Sequence, residues 1–183
     1  MSRGATVADP SWSRRTDGAS RRADQRPNGA VSVSAATTAE ASHAPTPVGA
    51  GLPAGARLLR NVAYGPGAAY KMDIYLPAHP KGTAILFMVH GGAWTVGDKT
   101  MARVVANKAA HWLPEGFIFV STDYRLLPAA DPLEQANDVA KALAFAQSQA
   151  KSWGGDPSRF VLMGHSAGAH LVTLLAADPH NFG

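Results

Sequence analysis

Arg159-Phe160-Val161-Leu162-Met163-Gly164-His165-Ser166-Ala167-Gly168-Ala169-His170-Leu171 is the stretch on which the reading of this chain turns. It divides into an apolar strand, a Gly-His-Ser-Ala-Gly turn, and an apolar run with helical character that continues through Leu175. A serine held at such a strand-to-helix reversal stands clear of the sheet, where a nucleophile has to be. Gly164 and Gly168 carry no Cβ, so strand and helix can approach closely around a strained residue. Glycine, serine and alanine are common, and the five-residue pattern alone says little. Its position between strand and helix gives it weight.

Working outward, the upstream text supplies more strands and helices. Arg57 to Tyr64 reads as a strand that stops at Gly65-Pro66-Gly67. Tyr70 to Leu76 alternates apolar and polar residues, the pattern of a strand with one solvated face. Thr83 to Val89 is nearly continuously apolar and suits a central strand buried on both faces. Met101 to Trp112 has helical spacing, with Val104, Val105, Ala109 and Trp112 on one side. Phe117 to Ser121 is the next buried strand. Asp131-Pro132 opens a long helix, its apolar face Leu133, Ala136, Val139, Ala140, Leu143 and Ala144, and Gly154-Gly155 closes it. Phe160 to Met163 is the serine's strand, and its helix runs from Ala167 to about Ala177. The order β-β-β-α-β-α-β-α predicts an α/β domain, a mostly parallel sheet with helices on both faces.

A second motif, His90-Gly91-Gly92-Ala93-Trp94, follows the strand Thr83 to Val89. Loops at the carboxyl ends of neighbouring parallel strands converge on one site. Glycines there let backbone N–H groups face that site without an intervening side chain. Two such donors and the N–H of Ala167 would surround an oxygen that turns negative when a carbonyl is attacked. Preorganised donors of this kind contribute about 3 kcal/mol each.

With 183 residues, 46% of them hydrophobic, one domain with a real core is expected. No apolar run reaches the roughly 18 residues of a membrane span. The chain has no cysteine, which excludes disulfides, thiolate catalysis and cysteine-bound metals. Its net charge of +4 is scattered, without the basic, aromatic-studded stripe of a nucleic-acid binder. Residues 1–56 differ from the rest: they hold six arginines (Arg3, Arg14, Arg15, Arg21, Arg22, Arg26), five prolines and few branched apolar residues. That composition predicts an arm without regular structure. Ser13-Arg14-Arg15 and the run Ala30 to Ala39, ending in Ala39-Glu40-Ala41, offer an export signal as the competing reading. The run is mostly Ala, Ser and Thr and lacks the apolar segment a signal needs, so a cytoplasmic protein is expected.

Residues from about 57 to 183 resemble the α/β-hydrolase fold, in its esterase/lipase group with a His-Gly-Gly-x-Trp motif. The resemblance rests on four segments: His90 to Trp94, Asp123-Tyr124-Arg125-Leu126 with Pro128, Gly154-Gly155-Asp156-Pro157, and Gly164 to Leu171. It implies hydrolysis of a small-molecule carboxylic ester through an acyl-enzyme, with Ser166 as nucleophile and Gly91, Gly92 and Ala167 as oxyanion donors. Trp94 would line the acyl or leaving-group side, and Asp123 and Arg125 would brace the loop as a buried ion pair. No metal or other cofactor is implied. An arylformamidase-like enzyme acting on an N-formyl aryl amide would use the same residues. A non-catalytic protein keeping the fold for binding is the third alternative.

The chain departs from the family in one respect. The order in this fold is Ser, then Asp or Glu, then His, and only Asp178 and His180 follow Ser166 as such a pair. They lie beyond the serine's own helix, about 18 Å along its axis from the turn. His165 belongs to the motif turn, His170 to the first turn of the helix and His111 to another helix, and these three are read as structural; His43 and His79 fall in tail and loop. The acid and base are therefore expected to be absent, the far edge of the serine's strand to be unpaired, and the sequence to be the N-terminal portion of a longer hydrolase.

Overall fold

A computed structural model describes residues 32–35 and 51–182. The elements are β1 (Ser32–Ala35), β2 (Arg57–Ala63), β3 (Lys71–Leu76), β4 (Thr83–Val89), α1 (Ala102–Trp112), β5 (Ile118–Thr122), α2 (Pro132–Gln149), a 3-10 turn (Ala150–Trp153), β6 (Gly155–Gly164) and α3 (Ala167–Ala177). They form one mixed sheet in the order β1-β6-β4-β5-β3-β2. β1, β6, β4 and β5 run parallel, while β3 is antiparallel to β5 and β2 antiparallel to β3.

Each parallel crossover carries a helix, and the two faces of the sheet are covered differently. Ile85, Phe87 and Val89 of β4 join Ile118 and Val120 under α2 and α3, while Leu86, Met88 and Phe119 pack with Val104, Val105 and Ala109 of α1. The unbroken apolar run of β4 follows from that position, since both of its faces lie in the core. α2 begins on a full capping box. The Asp131 carboxylate accepts from the Leu133 and Glu134 amides at 2.9 Å each, and the Asp131 amide donates to Glu134 at 2.9 Å.

Four expectations need correction. β3 has no solvated face: Asp73 and Tyr75 are buried along with Met72, Ile74 and Leu76. Tyr75 packs on Phe119, and Asp73 meets a lysine described below. On α2, Leu133 is 58% exposed and Ala144 is exposed too, whereas Gln135, Asp138, Ala142 and Ala146 are buried. The buried stripe of α2 thus includes two polar residues, which apolar periodicity cannot report. The outer edge of β6 is paired, because Ser32–Ala35 runs parallel to it with Ser32 opposite Val161 and Ala35 opposite Gly164. Those four residues depart from the unstructured arm expected over 1–56, and the sequence alternation Val31-Ser32-Val33-Ser34 is the strand signal that composition masked. Residues 1–31 and 36–50, with His43, Ser13-Arg14-Arg15 and all of the candidate signal run but Ser32–Ala35, lie outside the described residues. Leu52 and Ala56 already pack against the α1-side core, so the folded region starts ahead of Arg57.

Candidate active site

Ser166 sits between β6 and α3, exposed, with φ 53° and ψ −118°. A positive φ at a non-glycine residue is costly and persists only where the surroundings enforce it. Here the neighbouring glycines do so. A Cβ on Gly168 would overlap the carbonyl oxygens of Val89 and His90, and one on Gly164 would lie 2.5 Å from the Ala169 Cα. α3 is thereby pressed onto the end of β4, and its N-terminus, with the positive end of its dipole, opens beside Ser166. The serine hydroxyl does not cap the helix.

The His90–Gly97 loop meets this turn directly. A Cβ on Gly91 would fall 2.5 Å from the His165 carbonyl oxygen and 3.0 Å from the Ser166 Cβ. Gly92 has φ 127°, and a Cβ there would overlap the Val96 carbonyl oxygen. Ala93 and Trp94 follow in the left-handed region at φ 50° and 62°. Among the described residues, the amides of Gly91, Gly92 and Ala167 donate to no protein acceptor. Gly91 and Ala167 are nonetheless buried, and buried backbone donors are almost always paired. The three amides are donors in want of an acceptor.

His90 fixes the first of these peptides. Its Nδ1 lies 2.7 Å from the Gly91 carbonyl oxygen, and a carbonyl only accepts, so Nδ1 carries the proton and donates. In a planar trans peptide the Gly92 N–H then points the opposite way. The ring stacks on Tyr124 at 4.5 Å, and the Tyr124 hydroxyl donates to the His90 carbonyl at 2.8 Å. The imidazole is 1% exposed, and its Nε2 has no partner among the described residues.

Burial holds the His90 pKa below its usual value. A lowered folded-state pKa adds stability above the unfolded pKa of about 6.5 and loses it as pH falls below that value. The wild-type urea midpoint should therefore drop more between pH 7.5 and 5.5 than that of His90→Gln. Equal drops would show that His90 does not set this limb.

Three ion pairs brace the loops, and none joins Asp123 to Arg125, the pair expected from the resemblance. Lys99 Nζ lies 3.5 Å from Asp123 and 3.6 Å from Asp73, and the Lys99 amide donates to Asp123 at 2.6 Å. Burial pushes the Asp123 pKa up in spite of Lys99. Arg125 instead grips Asp138 of α2 through Nε at 2.7 Å and a terminal nitrogen at 3.0 Å, a bidentate pair. Apolar spacing on α2 hides Asp138. Its place one helical turn after the capping box, behind an arginine loop, is the only sequence signal for it.

Trp94 is half-buried, its ring edge-on to His170 at 5.6 Å with Nε1 unpartnered. It therefore flanks the first turn of α3. His165 and His170 are exposed, and neither hydrogen-bonds Ser166 through its side chain. Asp178 and His180 lie past the far end of α3, His111 is exposed on α1 and His79 is exposed before β4. Among the described residues no group of His, Asp or Glu could hold a metal ion, and no helix is long and apolar enough to cross a membrane.

Comparison with known proteins gives consistent matches over this region. The BD-FAE family model matches residues 72–182. A rice (Oryza sativa subsp. japonica) protein named "Probable isoprenylcysteine alpha-carbonyl methylesterase ICME" is 33% identical over 117 residues, 63% of this chain and 28% of its own length. The "Probable carboxylic ester hydrolase LipM" of Mycobacterium tuberculosis (strain ATCC 25618 / H37Rv) is 36% identical over 126 residues, 66% of this chain and 28% of its own. Esterase B of Lactobacillus rhamnosis superimposes with a TM-score of 0.61 at 27% identity, covering 69% of this chain and 41% of that one. The chain thus spans little more than a quarter of these two curated relatives.

Proposed function

The chain belongs to the BD-FAE family and has the α/β-hydrolase fold, and from that premise we propose that it carries the nucleophile and oxyanion hole of a serine carboxylic ester hydrolase. The observation that carries this reading is Ser166, exposed at φ 53°, packed against Gly91, together with the amides of Gly91, Gly92 and Ala167, which donate to no acceptor among the described residues. Gly91, Gly92 and Ala167 are the proposed donors. Trp94 lines the edge of the site, beside His170.

In the proposed reaction Ser166 Oγ attacks the ester carbonyl carbon, and the carbonyl π pair moves onto oxygen. That oxygen faces the amides, whose dipoles are already oriented and need no reorganisation. Collapse breaks the bond to the alcohol, which departs with a proton, and water then attacks the acyl-serine to release the acid. Removal of the Ser166 proton calls for an imidazole oriented by a carboxylate. No such pair stands at Ser166 among the described residues. His170 stands edge-on to Trp94 and pairs with no carboxylate among the described residues, so we do not assign it as that base.

The substrate is proposed to be a small carboxylic ester. The test is incubation of the protein with p-nitrophenyl acetate and, separately, with formanilide. A first turnover of p-nitrophenolate that leaves an acetyl group on Ser166 and is lost in Ser166→Ala, with intact formanilide, is the expected result. Aniline release with no ester turnover would move the assignment to N-formyl aryl amides. No Ser166-dependent product from either substrate would favour a binding protein on this fold.

A further inference from the structure

Gln135 is fully buried in the second turn of α2, a position where an apolar residue would otherwise fill the core. Its Nε2 donates to the Trp94 carbonyl and to the Ala130 carbonyl, at 3.0 Å each. Its Oε1 is buried and finds no partner among the described residues. The orientation of the amide follows from this set: turned over, it would oppose an oxygen to two carbonyl oxygens. The cost of an orphaned acceptor is tolerated for two donated bonds.

One of those bonds ends on the oxyanion loop. The Trp94 carbonyl also accepts from the Leu127 amide at 2.8 Å, so both of its lone pairs are occupied. Trp94 and Ala93 hold left-handed φ values that neither side chain favours. Immediately before them stand Gly91 and Gly92, the proposed oxyanion donors, with Gly91 packed against Ser166. Without an outside restraint the pair would relax toward negative φ and swing the glycine amides away.

We propose that Gln135 is a positioning residue that locks the left-handed Ala93-Trp94 pair and thereby aims the Gly91 and Gly92 amides at the oxyanion. The inference deepens the assignment of Ser166 and its oxyanion hole, and rests on it. Gln135 touches no substrate. It acts through the Trp94 carbonyl, and the capping box of α2 fixes where it stands.

The test measures phosphonylation of Ser166 by a p-nitrophenyl alkylphosphonate together with amide hydrogen exchange across residues 91–96. In the reaction Ser166 Oγ bonds to phosphorus and p-nitrophenolate leaves, so the rate at saturating probe reports on the stabilised P–O oxygen. Gln135→Met, which keeps the bulk and loses the donor, should lower that rate by about tenfold or more, with probe affinity changed less than threefold. Exchange in 91–96 should quicken while β4 and β5 stay protected. Adding Ala93→Gly, which removes the conformational penalty at that site, should restore part of the rate; a residue that merely fills the core would not be rescued this way. Gln135→Asn, polar but too short to reach Trp94, is the second variant and should behave like Gln135→Met if the latter does not fold. Wild-type rate and wild-type exchange in a folded variant would overturn the proposal, as would a rate loss that Ala93→Gly leaves untouched. If even the wild type is not labelled at Ser166, the oxyanion assignment fails, and unchanged exchange in 91–96 then overturns the locking role separately.

Discussion

Gly168→Ala should cost the fold about 3 kcal/mol or more, a large share of the roughly 5–15 kcal/mol that holds a domain together. The added methyl would collide with the carbonyl oxygens of Val89 and His90. Both belong to backbone at the end of the central strand β4, and backbone there cannot yield as a flexible side chain does. Relief requires α3 to lift from the sheet, which opens the contacts of Leu171, Val172 and Leu175 with the core. Alanine is the better helix former by about 1 kcal/mol, so propensity opposes the loss and cannot explain it. Ala177→Gly, at the exposed end of the same helix, is the control and should cost well under that amount. Urea midpoints measure both variants. A Gly168→Ala midpoint equal to wild type would mean that α3 does not sit against β4 as described.

Ser166→Ala should abolish the covalent intermediate completely while changing steady-state turnover of this 183-residue chain only slightly. The asymmetry comes from the way catalytic groups act as a unit. With no carboxylate-paired imidazole at Ser166 among the described residues, turnover rests on the oxyanion hole and binding, which leave roughly 10³–10⁴ over water when triad members are missing. Removing the nucleophile where the described residues supply no such base takes away little more of that rate. The acyl-serine, by contrast, cannot form at alanine at all. Acid-quenched mass spectrometry after mixing with p-nitrophenyl acetate should show one acetyl group on the wild type and none on Ser166→Ala. Acetylation that survives the substitution would place the reactive group elsewhere.

Much of this arrangement can be read in the residues themselves, for local reasons. The strand Thr83–Val89 and the helix Ala167–Ala177 occur with the bounds their patterns predict. The glycines around Ser166 announce close backbone approach, since a tight reversal has few other solutions. What the pattern hides are partnerships across the chain. Asp73 and Tyr75 look like the wet side of a strand, yet Lys99 and Phe119 bury them from elsewhere in the fold. Arg125 stands two residues from Asp123 but takes its carboxylate from Asp138, thirteen positions on. Gln135 interrupts an apolar stripe for the sake of the Trp94 carbonyl, forty-one positions back. Such polar residues on a helix's buried face carry no periodic signal, and they are the ones that hold the loops of the site in place.

The central claim is that Ser166 is the nucleophile and that its turn is built to expose it. Locating the adduct left by a p-nitrophenyl alkylphosphonate tests this most directly, by peptide mass mapping of the wild-type protein after prolonged exposure. A single phosphonyl group on the peptide containing Gly164-His165-Ser166-Ala167-Gly168, fragmenting to Ser166, is the predicted result. An adduct on any other residue, or none, would contradict it.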